Sequence, residues 1–289
     1  MSDRVEVLKT YKTYIGGQFP RTESGRYYKV YDGNGDILAN ACQCSRKDVR
    51  DAIVEARNAQ DAWSGRTAYN RGQILYRIAE MLETRKEQFI DELQTIGYKE
   101  KKAKYEVNAS IDRLIYYAGW SDKFQQVFGS INPVASAHFN FSMPEPTGVV
   151  TAWAPEKQPL LGLISVIAPV IVGGNTCVVL ASEQYPLSAI SFAEVLNSSD
   201  VPGGVVNILT GYRAELLKHM TTHMDVNAFF YTNPEISQEE RKQIDKNGAL
   251  NLKHIIRKQV EDWHDEKTQS PYFITDFQEI KTTWHPVGI

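Results

Sequence analysis

The sequence predicts an α/β protein: a doubly wound, mostly parallel sheet with N-terminal helices and a small β arm. Three observations predict it. From Gly148 onward, short β-rich runs alternate with helical stretches. Those runs hold few polar residues, as strands covered on both faces do. Ahead of them lies a block of helices with regular apolar spacing, and behind them a polar stretch and a lone strand-like tail.

In chain order, Tyr14–Phe19 and Tyr28–Tyr31 are short β-prone runs, and 32–36 is turn chemistry leading into Ile37-Leu38. Gly33-Asn34-Gly35 imitates a dinucleotide loop but has no third glycine and no helix after it, so it reads as a turn. Ser45 and Asp48 have capping-box spacing, followed by Val49, Ala52, Ile53 and Ala56 at helical period. One longer helix is expected from Asn70 to Ile96, with Ile74, Leu75, Ile78, Leu82, Phe89 and Leu93 on its stripe and Gly97 as its stop. A third helix carries Val107, Ile111, Leu114, Ile115 and Ala118. The strands 149–154, 176–181, 205–209, 228–232 and 252–256 then alternate with helices 160–172, 187–197, 214–219 and 236–246, implying right-handed crossovers. The expected organisation is 1–125 for N-terminal strands and helices, 126–147 for arm strands, 148–260 for the Rossmann-like core and 261–289 for a linker and C-terminal arm strand.

Composition excludes several classes of function. The 289 residues carry 32 basic and 35 acidic side chains, a net charge of -3, which supplies no field for nucleic acid or anionic lipid. The longest apolar stretch, 159–174, is interrupted by Ser165 and Pro169 and is too short to span a bilayer. The charged start (Ser2-Asp3-Arg4) lacks the apolar core of a signal peptide, and three cysteines make no disulfide framework, so the cytoplasm is the expected compartment. His219 and His223 share a helical face but lack a third ligand, and Cys42 and Cys44 make only two, so no metal is expected. No nucleophile elbow or phosphate-binding P-loop is present. The stretch Asp262–Glu266 reads as a solvated linker.

The segment Ile167-Ala168-Pro169-Val170-Ile171-Val172-Gly173-Gly174-Asn175-Thr176 resembles aldehyde dehydrogenases, where a buried helix passes through a Gly-Asn-Thr turn into the next strand. The resemblance extends through Glu183–Ala189, Val201–Asn207 and Asp225-Val226-Asn227. It also reaches back to Tyr14–Phe19, Asp61-Ala62-Trp63 and Arg71-Gly72, and forward to Thr275–Trp284, similar to the family's final arm strand. It implies NAD or NADP as cofactor and a cysteine nucleophile in a separate catalytic domain of roughly two hundred residues between cofactor domain and tail. Here Asn251-Leu252-Lys253 runs almost directly into the tail, and none of the three cysteines takes the nucleophile's position.

Other positions that the resemblance identifies are altered. Lys157 stands at the oxyanion-binding asparagine and Lys258 at the general-base glutamate. The adenosine-holding Lys-Pro-Ser/Ala-Glu appears as Leu180-Ala181-Ser182-Glu183, leaving Ser182 and Glu183 as vestigial cofactor-binding residues. Tyr212-Arg213-Ala214-Glu215 fills a turn that is glycine-rich in the family, and Thr232-Asn233-Pro234-Glu235 replaces a Thr-Gly-Ser helix start with Glu235 near the expected phosphate. The expectation is therefore no useful cofactor affinity, with weak NAD or NADP binding as the alternative, and no catalysis by the lone chain. The retained arm implies a full-length aldehyde dehydrogenase paralogue as partner, or a non-standard homo-oligomer, with the chain as scaffold or regulatory subunit. A nucleotide-binding sensor and an oxidoreductase active only in complex are the other readings.

Overall fold

The computed structural model describes residues 7–233 and 236–288. Strands β1 (Thr10–Tyr11), β2 (Tyr27–Tyr31) and β3 (Ile37–Cys42) form a small sheet in the order β1-β3-β2. The β2–β3 turn is held by the Asp32 carboxylate, which accepts the N–H groups of Asn34 and Asp36 at 2.8 and 2.9 Å. Gly35 adopts φ +92°, a conformation that costs a Cβ-bearing residue energy.

Helices α1 (Arg46–Ser64), α2 (Ala68–Thr84), α3 (Lys86–Thr95), α4 (Glu100–Trp120) and α5 (Phe124–Phe128) follow. Both reciprocal bonds of the Ser45–Asp48 capping box form at the start of α1. The single helix expected over Asn70–Ile96 is instead two, because Arg85 departs from helical geometry (φ -103°, ψ 13°). Its guanidinium reaches Glu194 at 2.6 Å. Phe89, Ile90 and Leu93 beyond the bend share the core of Ile74, Leu75, Ile78 and Leu82. Apolar spacing continues across the bend, so periodicity does not register it.

The arm strands β4 (Ser130–Asn132) and β5 (His138–Pro146) lead into β6 (Val149–Trp153), α6 (Pro159–Val172), β7 (Thr176–Leu180), α7 (Leu187–Asn197), β8 (Val206–Leu209), α8 (Arg213–Thr222), β9 (Ala228–Asn233), α9 (Gln238–Gly248) and β10 (His254–Gln259). After a 3-10 turn at Glu266–Thr268 come α10 (Tyr272–Thr275) and β11 (Gln278–Pro286). Strands β10-β9-β6-β7-β8 make a five-stranded sheet whose pairings are all parallel. Alternate side chains enter two cores. Val150, Ala152, Cys177 and Val179 pack with α2, α4, α6 and α7, whereas Val149, Trp153, Val178 and Leu180 pack with α1, α8 and α9. Helices thus cover both faces, as a doubly wound sheet requires.

Helix α6 is buried along its whole length, so its orphan carbonyls need protein partners. Trp63 Nε1 donates to the Ile171 carbonyl at 2.9 Å, Arg71 Nε to Val172 at 3.0 Å and Gln278 Nε2 to Gly173 at 3.1 Å. This cap is the physical content of the Trp63, Arg71 and Gly-Asn-Thr motifs. Gly174 turns the chain at φ +90°. Asn175 accepts the Gly148 N–H at 2.8 Å and donates to the Phe277 carbonyl at 3.0 Å, tying sheet to tail.

Two expectations about the C-terminal segment are corrected. The stretch Asp262–Glu266 is solvated only in part: Asp262, Asp265 and Glu266 are exposed, but Trp263 between them is 2% exposed. The Phe273–Trp284 tail is not one strand, since α10 precedes β11 and buries Phe273, Ile274 and Phe277 in the main core. Strand β11 pairs antiparallel with β5 from Gln278↔Pro146 to Pro286↔His138, giving an arm sheet β11-β5-β4.

Candidate functional site

In an open parallel sheet, ligands bind beyond the C-terminal ends of the strands, near the point where strand order reverses. Here that reversal lies between β6 and β9, and β6 and its other neighbour β7 end at Trp153 and Leu180. The loops leaving them hold Ser182 and Glu183 on one side and the segment 154–158 on the other.

Ser182 and Glu183 come together, but both are engaged by the chain itself. Ser182 Oγ donates to Glu156 Oε2 at 2.6 Å, and the N–H groups of Glu183 and Gln184 donate to the same carboxylate at 3.1 and 3.2 Å. The Glu183 carboxylate accepts the Arg213 N–H at the start of α8, a placement its helix dipole favours. Burial raises the Glu183 pKa, opposed by that hydrogen bond. Arg213 then folds back across the strand ends. Its Nη2 lies 2.5 Å from the Ala154 carbonyl and 3.0 Å from Glu156 Oε1, with the guanidinium 5.4 Å from the centre of the Trp153 ring. The Arg213 side chain therefore lies across the ends of β6 and β7.

The segment 154–158 is held by the C-terminal part of the chain. Lys157 is exposed, while Gln158 adopts a left-handed conformation (φ 54°) and is 8% exposed. Gln158 Nε2 donates to Asp262 Oδ1 at 2.5 Å, and Gln158 Oε1 accepts the Trp263 N–H at 2.7 Å. Arg113 of α4 locks this arrangement. Its Nη1 donates to Ser165 Oγ at 2.6 Å and to the Thr268 carbonyl at 2.9 Å. Its Nη2 donates to the Trp263 carbonyl at 2.8 Å, and its Nε to Gln269 Oε1 at 3.0 Å. Burial lowers the Arg113 pKa. Beneath the same loop, the Glu106 carboxylate accepts the Leu160 and Leu161 N–H groups at 3.1 and 3.4 Å, capping α6 from a neighbouring helix. Burial raises its pKa to about 7 against the two N–H bonds.

At the third position, Lys258 lies on β10 opposite Thr232. Its Nζ pairs with Asp276 Oδ2 at 2.6 Å and sits 4.8 Å over the Phe273 ring. The cysteines are remote from this chemistry. Cys42 lies in β3 and Cys177 in β7; Cys44 donates its N–H to the Thr210 carbonyl, and all three are buried. His219 and His223 line a shallow cavity with Arg46 and Arg50. No group of three or more metal-capable residues occurs among the described residues. The predicted contribution of Pro234 and Glu235 lies outside the described residues.

The sequence reading missed Glu156, Gln158, Arg113 and Trp263. A signal existed for two of them. Trp263 is a large aromatic inside a polar run, and Arg113 is a cation between the core positions Ile111 and Leu114.

A profile described as "Aldehyde dehydrogenase family" matches residues 19–257. The chain belongs to the aldehyde dehydrogenase family. It is 30% identical over 256 residues to human retinal dehydrogenase 2, covering 86% of this chain and 48% of that protein. It is 31% identical to mouse cytosolic 10-formyltetrahydrofolate dehydrogenase, covering 85% of this chain and 28% of that one. Among solved structures, the NAD+ complex of aldehyde dehydrogenase from Bacillus cereus superposes with a TM-score of 0.79 at 26% identity, over 86% of this chain and 50% of that one. The chain thus spans about half the length, or less, of these family members. The matched half is the α/β, cofactor-domain-like part, with the parallel sheet expected of it. Family relatives are dehydrogenases, and one neighbour is an NAD+ complex. Among the described residues no helix is long and apolar enough to cross a membrane.

Proposed function

We propose that this chain is a non-catalytic aldehyde dehydrogenase family member that acts as a scaffold or regulatory subunit through its β arm. The observation that carries the reading is the Arg113 lock. A segment of eighteen residues, 260–277, joins β10 to β11 in place of the domain that holds the family's nucleophile. Arg113 fastens that segment over the groove with hydrogen bonds to Trp263, Thr268 and Gln269. On this reading the segment keeps an aldehyde from the strand ends, and the three buried cysteines lie elsewhere in the fold. Lys157 and Lys258 stand where the resemblance places the oxyanion donor and the base, and a cation cannot serve as the base.

The arm supports the partner. Ile280 and Trp284 point from one face of β11 and are 59% and 57% exposed, and the outer edge of β11 pairs with nothing among the described residues. An exposed strand edge with large apolar side chains is a template for strand addition. A full-length aldehyde dehydrogenase offers the complementary catalytic-domain edge that this chain lacks. The test uses the tagged chain and its double variant Ile280→Lys, Trp284→Lys, whose exposed sites leave folding intact. A stoichiometric full-length aldehyde dehydrogenase retained by the parent and lost by the variant supports the reading. Equal retention by both, or a homo-oligomer through the arm with no such enzyme bound, overturns it.

Ser182 and Glu183 at the end of β7 favour a second reading, a sensor of NAD or NADP. Calorimetric titration decides it: saturable binding supports the sensor, and a flat response to millimolar dinucleotide removes it.

A further inference from the structure

A separate cavity of about 570 Å³ lies between β1 and β3 on one side and α3 and the start of α7 on the other. Its wall is mostly apolar, formed by Leu38, Ala39, Leu93, Ile96 and Leu187, with Tyr11 as an aromatic side. Two polar residues that line it each carry one oxygen with no partner among the described residues. Glu92 Oε1 is satisfied by Ser191 Oγ at 2.7 Å and Gln88 Nε2 at 2.9 Å, while Oε2 accepts nothing. Ser188, 4% exposed, has no hydrogen bond from Oγ. Buried polar atoms are almost always bonded, and two such orphans on residues lining one cavity point to a missing ligand.

The electrostatics select its sign. Asp91 and Glu92 face the cavity from α3, and Glu194 of α7 acts on Tyr11 beside it. Against these three carboxylates stand two cations that both act on Glu92: Arg85, paired with Glu194, and Lys9, which lines the cavity over the Tyr11 ring at 4.1 Å. An acceptor surplus inside an apolar wall suits a donor and repels an anion.

We propose that this cavity binds a small, mainly apolar or aromatic primary amine, its ammonium placed on Glu92 with Ser188 as second partner. The site is distinct from the cofactor groove. Tyr185, whose N–H donates to Ser182 Oγ at 2.9 Å, joins the two. It does not rest on the non-catalytic reading.

The probe is phenethylamine, followed by calorimetry and by proton–nitrogen NMR of the full chain, with 3-phenylpropionate as the anionic control. The expected result is saturable amine binding with shifts at residues 88–96 and 187–191, and none for the carboxylate. Glu92→Gln, isosteric and charge-free, weakens the amine by about tenfold or more, equivalent to about 1.4 kcal/mol. Ser188→Leu fills the cavity and abolishes it. Should Ser188→Leu fail to fold, Glu92→Gln with the two probes still decides. No amine binding, equal binding of both probes, or binding indifferent to Glu92→Gln overturns the proposal.

Discussion

Arg213 Nη2 lies 3.0 Å from Glu156 Oε1, and between them the two side chains hold the ends of β6, β7 and the start of α8 together. Glu156 accepts from Ser182, Glu183 and Gln184, so one carboxylate organises the whole turn after β7. Arg213→Ala should destabilise the fold by about 2 kcal/mol in urea unfolding. That is less than the roughly 3–5 kcal/mol for breaking a fully buried pair, because the Glu156 side chain keeps 27% exposure and water recovers part of the loss. Arg213→Gly should also vacate the groove and raise dinucleotide affinity above that of the parent. If both proteins give the same titration, Arg213 is not what closes the groove.

Arg113 is 3% exposed, and among the described residues its acceptors are all neutral. Arg113→Met keeps the volume and strands several buried carbonyl and hydroxyl groups, at a cost of about 3 kcal/mol. Hydrogen exchange should accelerate across residues 262–270 and stay unchanged in β6 and β7. Uniform acceleration across the sheet would mean that the lock is part of the global core instead.

Glu106 makes stability depend on pH. Its pKa rises from 4.5 to about 7 through burial, so the folded state holds the proton more tightly than the unfolded chain. The protonated carboxyl therefore contributes stability that is complete below about pH 4.5 and is lost as pH rises through about 7. The difference corresponds to about 3.4 kcal/mol at most. Urea unfolding at about pH 5 and about pH 8 should show a larger alkaline loss in the parent than in Glu106→Gln. Parallel pH profiles would contradict this assignment.

The thiols should be inert in the native protein. Cys44 and Cys177 are fully buried, and burial pushes both thiols well above their ordinary pKa, while Cys42 is 2% exposed. Thiolate is the reactive form. A chromogenic disulfide reagent at mildly alkaline pH should release nothing until denaturant is added, then three equivalents. A fast-reacting native thiol would reopen the question of a nucleophile.

Much of the fold was legible in the sequence because its signals are local. The Ser45–Asp48 box, the Gly35 turn and the apolar runs Val149–Trp153 and Thr176–Leu180 each act through neighbours in the chain. The bend at Arg85 was not, since apolar spacing runs straight through it. The substitutions at Lys157, Arg213 and Lys258 could be read as lost chemistry, but what each side chain does instead could not.

The sequence by itself determined the doubly wound sheet, the short path from β10 to the tail and the residues standing at family positions, because periodicity, caps and motifs are encoded within a few residues. Only the tertiary structure decided that Arg213 turns inward onto Glu156, that Arg113 grips Trp263 and Thr268, and that Lys258 pairs with Asp276. Arg113 meets Trp263 across 150 residues, and Arg213 meets Ala154 across 59. Contacts of that separation are set by how the helices pack on the sheet, where a buried cation takes whichever carbonyls and carboxylates the fold brings within reach.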